Sequence, residues 1–132
     1  MGVKIEKVSK REYCLLESVT VEANGYKITV KAGLVFDGAS IPRSLWSLVG
    51  SPFTGGYTRA ALVHDALYMG EALERSVCDA IFLELMKKDA VNWLKRNVMY
   101  AAVRSAGWLV WRNHDKSLIE ANRKYTIIEE IK

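Results

Sequence analysis

Three polar side chains lie close together in the segment from Thr58 to Tyr68, and their types and spacing suit acid–base chemistry. His64, Asp65 and Tyr68 stand in an otherwise apolar stretch, TRAALVHDALY. In a helix, His64 and Tyr68 share one face, whereas Asp65 points about 100° away from His64. A buried imidazole, carboxylate or phenol is destabilising unless it has a hydrogen-bond partner. The rest of the chain must therefore supply those partners.

The candidate partners lie in a turn before this segment and in two helical stretches after it. A neutral histidine beside a carboxylate can act as a general base towards water when a second group fixes its tautomer. Asp79 would be that group if its helix lies antiparallel to the His64 helix, which the short connection 69–74 permits. The further candidate site residues are Asp37, Gly38, Ser40, Arg43, Arg75, Tyr100 and Arg104.

Asp65 would then be available to bind a hard cation together with Asp37 and a backbone carbonyl of the glycine turn. Two carboxylates, carbonyls and water suit Ca²⁺ or Mg²⁺ rather than Zn²⁺, because no cysteine or second histidine is well placed. Without a metal, the same carboxylates and the arginines would form a buried ion network that locks the loop to the helices. A second His-Asp pair, His114-Asp115, is expected to lie in a solvated loop.

The chain length and the order of the predicted helices and strands indicate a single α+β domain over residues 1–132. These elements must position the candidate site residues. Residues 12–31 are predicted to form a β-hairpin with its turn at Asn24-Gly25, because polar and apolar residues alternate on both sides of that turn sequence. The tail, 125–131, is predicted to return as a strand, giving a small antiparallel sheet packed with three main helices. A short helix is predicted between Ser40 and Gly50. The three main helices are predicted at about 58–70, 73–88 and 91–111.

Composition and charge argue against several classes of protein. The formal net charge is only +4 and the basic residues are scattered, so nucleic-acid binding is not expected. Cys14 and Cys78 lack metal-type spacing and are expected to be buried thiols in a reducing compartment. The first residues contain no hydrophobic run, so no signal peptide is expected. The longest apolar run, 99–111, is too short to span a bilayer and contains Arg104.

The double motif resembles the small secreted phospholipases A2, especially their bacterial and fungal branch. The resemblance is carried by DGASIP at 37–42 and by AALVHDALY at 60–68. It implies a phospholipase-A2-like pair of helices in which His64 activates water and Asp79 orients His64. It also implies that Tyr68 supports Asp79 by a hydrogen bond.

The same resemblance implies a calcium ion held by Asp37, Asp65 and the carbonyl of Gly38. Two cysteines that form a disulfide in that family fall on Ala39 and Ala61 here. Their joint replacement by alanine implies that these two residues touch and that the chain is adapted to a reducing cytoplasm.

The whole chain resembles more closely an uncharacterised domain family common in phages and prophages. The pattern runs from about Phe36 to Trp111 as DGAS-x-PR, a Trp, AA-x-x-HD-x-x-Y, R-x-x-x-D-x-x-F and M-Y-x-x-V-R. It implies a phage-encoded protein located in the host-cell cytoplasm or the virion, and it implies no particular activity.

Two classes of function follow from these patterns. The first is a Ca²⁺-dependent hydrolase in which His64 activates water to attack an ester of an amphiphilic, lipid-like substrate. The second is a non-enzymatic phage protein, either a tail or lysis-region component or an inhibitor that binds a host protein. An excess of aromatic residues at positions expected to be exposed favours such an interaction surface. Those residues are Trp46, Phe53, Tyr57, Trp93, Trp108 and Trp111.

Overall fold

The structure is a computed structural model that describes residues 3–38, 41, 45–46 and 56–131. Ser40, Arg43 and Ala39 lie outside the described residues, as does most of the short helix predicted between Ser40 and Gly50. The strands are β1 (Ile5–Lys7), β2 (Tyr13–Leu15), β3 (Val19–Ala23), β4 (Tyr26–Val30), β5 (Val35–Phe36) and β6 (Thr126–Glu130). The helices are α1 (Thr58–Gly70), α2 (Arg75–Lys88), α3 (Trp93–Arg112) and α4 (Lys116–Arg123).

The strands form two small antiparallel sheets, with orders β1-β2-β5 and β3-β4-β6. The predicted hairpin is β3-β4, and its turn residues Asn24 and Gly25 have φ values of 52° and 82°. Strand β6 pairs with β4 so that Ile128 stands opposite Ile28. The prediction of an α+β fold, with a hairpin joined by a C-terminal strand, is therefore confirmed.

The prediction that residues 12–31 form one hairpin is wrong at its N-terminal end. Strand β2 pairs instead with β1 and β5 in the second sheet. The two-residue turn pairs β3 and β4 only as far as Val19 opposite Val30. The chain then turns at Gly33, whose φ is 101°, and its N–H donates to the carbonyl of Leu15. The chain after this turn, rather than β4, therefore supplies the partner of β2.

Helix α1 is buried on almost every side and has the predicted bounds. It packs against α2, against α4 and against strands of both sheets. Its C-terminal end is held by Arg123 of α4, whose Nε donates to the carbonyl of Gly70 over 2.8 Å. A cation at this end also complements the helix dipole. The most buried helix of the described chain is therefore the one that carries the His-Asp motif.

Helix α4 was not predicted. His114 and Asp115 lie in the connection before it, as expected, but only Asp115 is exposed. Asp115 is the N-cap of α4, and its side chain accepts a hydrogen bond from the N–H of Ser117 over 2.8 Å. His114 is half-buried, with its Nδ1 2.9 Å from a carboxylate oxygen of Glu71. The pair therefore joins α3 to α4 and holds this corner against the end of α1.

Candidate functional site

His64 of α1 and Asp79 of α2 form a buried pair at the centre of the helices. The His64 Nε2 lies 2.7 Å from the Asp79 Oδ1, and both side chains have an exposed fraction of 0%. Two packed helices joined by a short connection bring the residues together, as the spacing predicted. A carboxylate can only accept, so Nε2 carries the proton and Nδ1 is the basic nitrogen of the neutral ring.

Tyr68 supports this pair from the next turn of α1. Its hydroxyl donates to the same Asp79 Oδ1 over 2.7 Å, and the side chain is fully buried. The Tyr68 hydroxyl reaches this position beside Gly107 of α3, where a Cβ atom would lie only 2.5 Å from the hydroxyl oxygen. A glycine on α3 is therefore what allows the phenol to fit between α1 and α3.

Two arginines contact the other carboxylate oxygen of Asp79. Arg104 donates from Nη1 to Oδ2 over 2.8 Å, and the Arg75 Nη1 lies 3.5 Å from the same oxygen. Arg75 also donates to the backbone carbonyl of Val103 over 3.0 Å, so it ties α2 to α3. We call His64, Tyr68, Arg75, Asp79 and Arg104 the Asp79 network. The Asp79 carboxylate is therefore contacted from α1, from α3 and from its own helix, α2.

The charge states of the network follow from burial and from these contacts. Burial lowers the pKa of His64, and this outweighs the opposing effect of the Asp79 hydrogen bond and charge, while Arg75 lowers it further. Burial would raise the pKa of Asp79, but hydrogen bonds from His64, Tyr68 and Arg104 lower it overall. Burial and the Asp79 contact raise the pKa of Tyr68. Asp79 is therefore ionised while His64 and Tyr68 are neutral at neutral pH.

Asp65 faces away from this network towards the glycine turn. Its Oδ2 accepts a hydrogen bond from the N–H of Gly38 over 2.7 Å, and its side chain is buried. Gly38 has a φ of 72°, a conformation that glycine adopts without strain, and its carbonyl accepts from the N–H of Ile41 over 3.1 Å. Asp37 is half-buried beside it. The turn and α1 thus place two carboxylates and a backbone carbonyl in the same region.

The donor chemistry of this region fits a hard cation. Asp37, Asp65 and the Gly38 carbonyl offer oxygen atoms, which are the ligands that Ca²⁺ and Mg²⁺ take. Ca²⁺ takes six to eight oxygens, so these donors would be only part of a coordination shell. Among the residues that the structure describes, no group of three or more His, Cys, Asp or Glu side chains is clustered to hold a metal. Calcium binding by Asp37, Gly38 and Asp65 stays a prediction.

The structure thus brings together five of the predicted site residues and separates others from them. Tyr100 is half-buried on α3, and no hydrogen bond links it to the Asp79 network in the described chain.

Phe82 was not predicted as a site residue, although its ring centroid lies 4.6 Å from that of His64. Phe82 is three residues after Asp79 on the same helix face, so the spacing could have indicated it. Trp111, whose ring meets Tyr68 edge-on at 5.1 Å, was also missed as a site neighbour.

The described residues define an α+β protein with a buried His–Asp–Tyr constellation between two adjacent helices. The chain belongs to the DUF1353 family of proteins of unknown function, whose model matches residues 13–103. This agrees with the expectation of an uncharacterised family.

Two curated relatives come from Sinorhizobium fredii, and both are described as uncharacterized proteins. The protein y4jT is 39% identical over 88 residues, which make up 65% of this chain and 26% of that protein. The protein y4iH is 31% identical over 87 residues, covering 66% of this chain and 36% of the relative. The chain therefore spans about a quarter to a third of the length of these relatives. No solved structure matches the chain.

Within the described part of the chain, every helix is too short or too polar to span a membrane.

Proposed function

We propose that this protein is a metal-dependent ester hydrolase in which His64 is the general base. The observation that carries the proposal is the 2.7 Å contact between the His64 Nε2 and the Asp79 Oδ1, both fully buried. This contact fixes the tautomer whose Nδ1 can take a proton, and the lowered pKa keeps the ring neutral at neutral pH. Asp79 and Tyr68 act as positioning residues, since they hold the imidazole rather than the substrate.

In the proposed reaction, His64 first accepts one proton and later donates it. The oxygen of a water molecule attacks the ester carbonyl carbon while Nδ1 accepts the proton that water loses. The imidazolium that forms is stabilised by Asp79, whose carboxylate accepts from Nε2. When the bond to the leaving alcohol breaks, the proton on Nδ1 passes to the alkoxide oxygen. The ring returns to its neutral form, so the step balances without a redox partner.

Asp37, Asp65 and the Gly38 carbonyl are the residues that would hold calcium. When bound, the ion supplies positive charge that stabilises the developing oxyanion. The N–H of Gly38 already donates to Asp65, which orients that carboxylate within the turn. The proposed substrate is an amphiphilic ester of the phospholipid class, and the proposed origin is a phage or prophage.

A non-enzymatic role is the second candidate, and the burial of His64 favours it. The imidazole is 0% exposed, and the rings of Tyr68 and Phe82 lie 4.2 and 4.6 Å from it. A substrate would reach Nδ1 only if residues covering the ring move. In the second candidate the Asp79 network serves to hold three helices together, and the protein acts by binding a phage or host protein.

Hydrolysis of short-chain phosphatidylcholine and phosphatidylglycerol, with calcium and with a chelator, separates the two candidates. The hydrolase proposal predicts calcium-dependent fatty-acid release that His64→Gln reduces by at least about a hundredfold, the range of general-base effects. His114→Gln, which changes the other histidine of the chain, is the matched control and is expected to retain activity. Folding of each variant is checked by circular dichroism. Absence of release from the folded wild type would contradict the proposal and favour the structural role.

A further inference from the structure

Helix α3 carries an unusual charge and surface pattern for a helix on the outside of this fold. It contains four basic residues and no acidic residue, whereas the rest of the chain has equal numbers of both signs. The formal net charge of +4 therefore arises in this one helix. The basic residues are Lys95, Arg96, Arg104 and Arg112.

Large apolar side chains are exposed at both ends of the same helix. Trp93 and Leu94 are 67% and 64% exposed near its start, and Trp108 and Leu109 are 45% and 47% exposed near its end. These two pairs are 15 residues apart in sequence, or about 22 Å along the axis at 1.5 Å per residue. At 100° per residue, Leu94, Trp108 and Leu109 lie within about 100° of one another around the axis, whereas Trp93 lies about 160° from Leu109. We call the surface that carries Leu94, Trp108 and Leu109 the outer face of α3, with Trp93 at its edge.

The exposed residues in the middle of the outer face are small. Ala101 and Ser105 are exposed there, on nearly the same helical line as Leu94 and Trp108. The guanidinium of Arg112, on that line, lies 5.2 Å from the centre of the Trp108 ring. A cation and an aromatic ring are thus presented together at one end of the outer face.

We propose that the outer face of α3 docks on a membrane surface that contains anionic lipids. Tryptophan and leucine on an amphipathic helix insert at the boundary between headgroups and acyl chains. Basic residues near a membrane surface are attracted to anionic headgroups, and Lys95 and Arg112 of α3 have no acidic residue beside them on the helix. The positive charge of α3 and the exposed apolar residues of its outer face therefore both favour binding to an anionic membrane surface.

The arrangement fits a lipid surface better than a protein surface. Protein–protein interfaces place their large anchors in a central, well-packed cluster with a polar rim. The outer face does the reverse, since its anchors stand at the two ends and small residues occupy its centre. A flat lipid surface can accept both ends at once without a matching pocket.

Two of the four basic residues are also engaged within the fold. Arg104 contacts Asp79, and Arg96 donates to the carbonyl of Val91 over 3.1 Å. Lys95 lies over the ring of Tyr57 at 5.4 Å, and Arg112 is exposed. Direct headgroup contacts are therefore expected mainly from Arg112 and Lys95, while the other two add to the longer-range attraction.

Vesicle flotation of the full chain tests this inference. The probes are vesicles of phosphatidylcholine alone and of phosphatidylcholine mixed with phosphatidylglycerol. We expect binding to the mixed vesicles that weakens in high salt, and little binding to phosphatidylcholine alone. The double variant Leu94→Ser with Leu109→Ser should lower the partition coefficient roughly tenfold or more. Leu118→Ser is the matched control, because Leu118 is 60% exposed but lies on α4.

Several results would overturn the inference. One is absence of wild-type binding to the mixed vesicles, and another is an equal loss in the Leu118→Ser control. A concentration-dependent dimer that the double variant abolishes, without vesicle binding, would assign the outer face to a second copy of the chain. The inference does not rest on hydrolysis, and His64→Gln is expected to bind vesicles like the wild type. Failure of the proposed reaction is therefore distinguishable from failure of membrane docking.

Discussion

Gly107 of α3 and Tyr68 of α1 approach so closely that a Cβ on the glycine would lie 2.5 Å from the Tyr68 hydroxyl oxygen. The same Cβ would lie 3.1 Å from the Arg75 Nη1, so Gly107→Ala must disturb the Asp79 network. We expect this variant to lower the free energy of unfolding by about 2 kcal/mol, the usual effect of overpacking. Urea denaturation measures it, and Gly56→Ala is the control, because a Cβ on Gly56 would meet no atom of the described residues within 4 Å.

The contact also predicts how two substitutions combine. Tyr68→Phe alone removes a hydrogen bond to Asp79, which we expect to destabilise the fold by about 1 kcal/mol or more. It also removes the atom with which the new Cβ would clash. The double variant should therefore be less destabilised than the sum of the two single variants. Simple additivity of the two effects would show that the clash is relieved elsewhere.

Asp79 is the residue on which the network depends. Asp79→Asn keeps the shape of the side chain but removes the charge that Arg75, Arg104 and His64 contact. The arginines are partly exposed, so solvent screens them, and we expect a loss of about 2–3 kcal/mol from the hydrogen bonds to a charged group. Urea unfolding of the variant tests this. A stability equal to that of the wild type would contradict a structural role for the carboxylate.

The buried imidazole predicts a specific pH dependence of stability. The pKa of His64 is lowered in the folded protein by burial, whereas the unfolded chain binds a proton below about pH 6.5. The unfolded state therefore binds more protons in this range, and the free energy of unfolding must fall as the pH drops below about 6.5. The slope from this one group reaches at most about 1.4 kcal/mol per pH unit.

His64→Gln isolates this contribution from that of the carboxyl groups. The pKa of Asp79 is also lowered in the wild type, but its stabilisation is lost only as the pH falls below about 5, where the unfolded carboxyl group takes up a proton. Urea midpoints between about pH 7 and pH 5 should therefore vary less in the variant than in the wild type. Identical slopes in both proteins would show that His64 does not resist protonation.

The two cysteines should react very differently with a thiol reagent. Cys78 is fully buried, and burial, together with the charge of Asp79, raises the pKa of its thiol to about 12. Cys14 is half-buried on β2 and uncrosslinked. We expect a chromogenic disulfide to modify Cys14 in the native protein and Cys78 only after unfolding. Rapid native modification of both thiols would contradict the packing around Cys78.

Local patterns made much of this fold predictable. Asn24-Gly25 specifies a two-residue hairpin turn, and the bounds of α1 follow from its apolar run. The His64–Asp79 contact was predictable because a short connection forces α2 back along α1. Glycine at 107 in a helix of larger residues indicates a close helix crossing, and the Tyr68 hydroxyl lies at that position.

The parts that could not be predicted depend on distant contacts. Strand β2 has three residues and strand β5 has two, which is too few to show an alternating pattern. The two strands also pair with each other although the β3-β4 hairpin lies between them in the sequence. Which arginines reach Asp79 depends on how α3 crosses α2, and spacing along the chain does not specify that crossing. The helix α4 did carry a signal, because Asp115 is a favourable N-cap, but the residue was interpreted as half of a His-Asp pair.

Asp65 and the Gly38 turn are proposed to bind calcium beside His64, the proposed base. Calorimetric titration of Ca²⁺ into the protein tests this proposal most directly, with Asp65→Asn as the paired variant, since that carboxylate accepts the Gly38 N–H. We predict saturable binding by the wild type and none by the folded Asp65→Asn variant. Absence of wild-type binding up to millimolar calcium, which covers the weak range of protein calcium sites, would contradict the account.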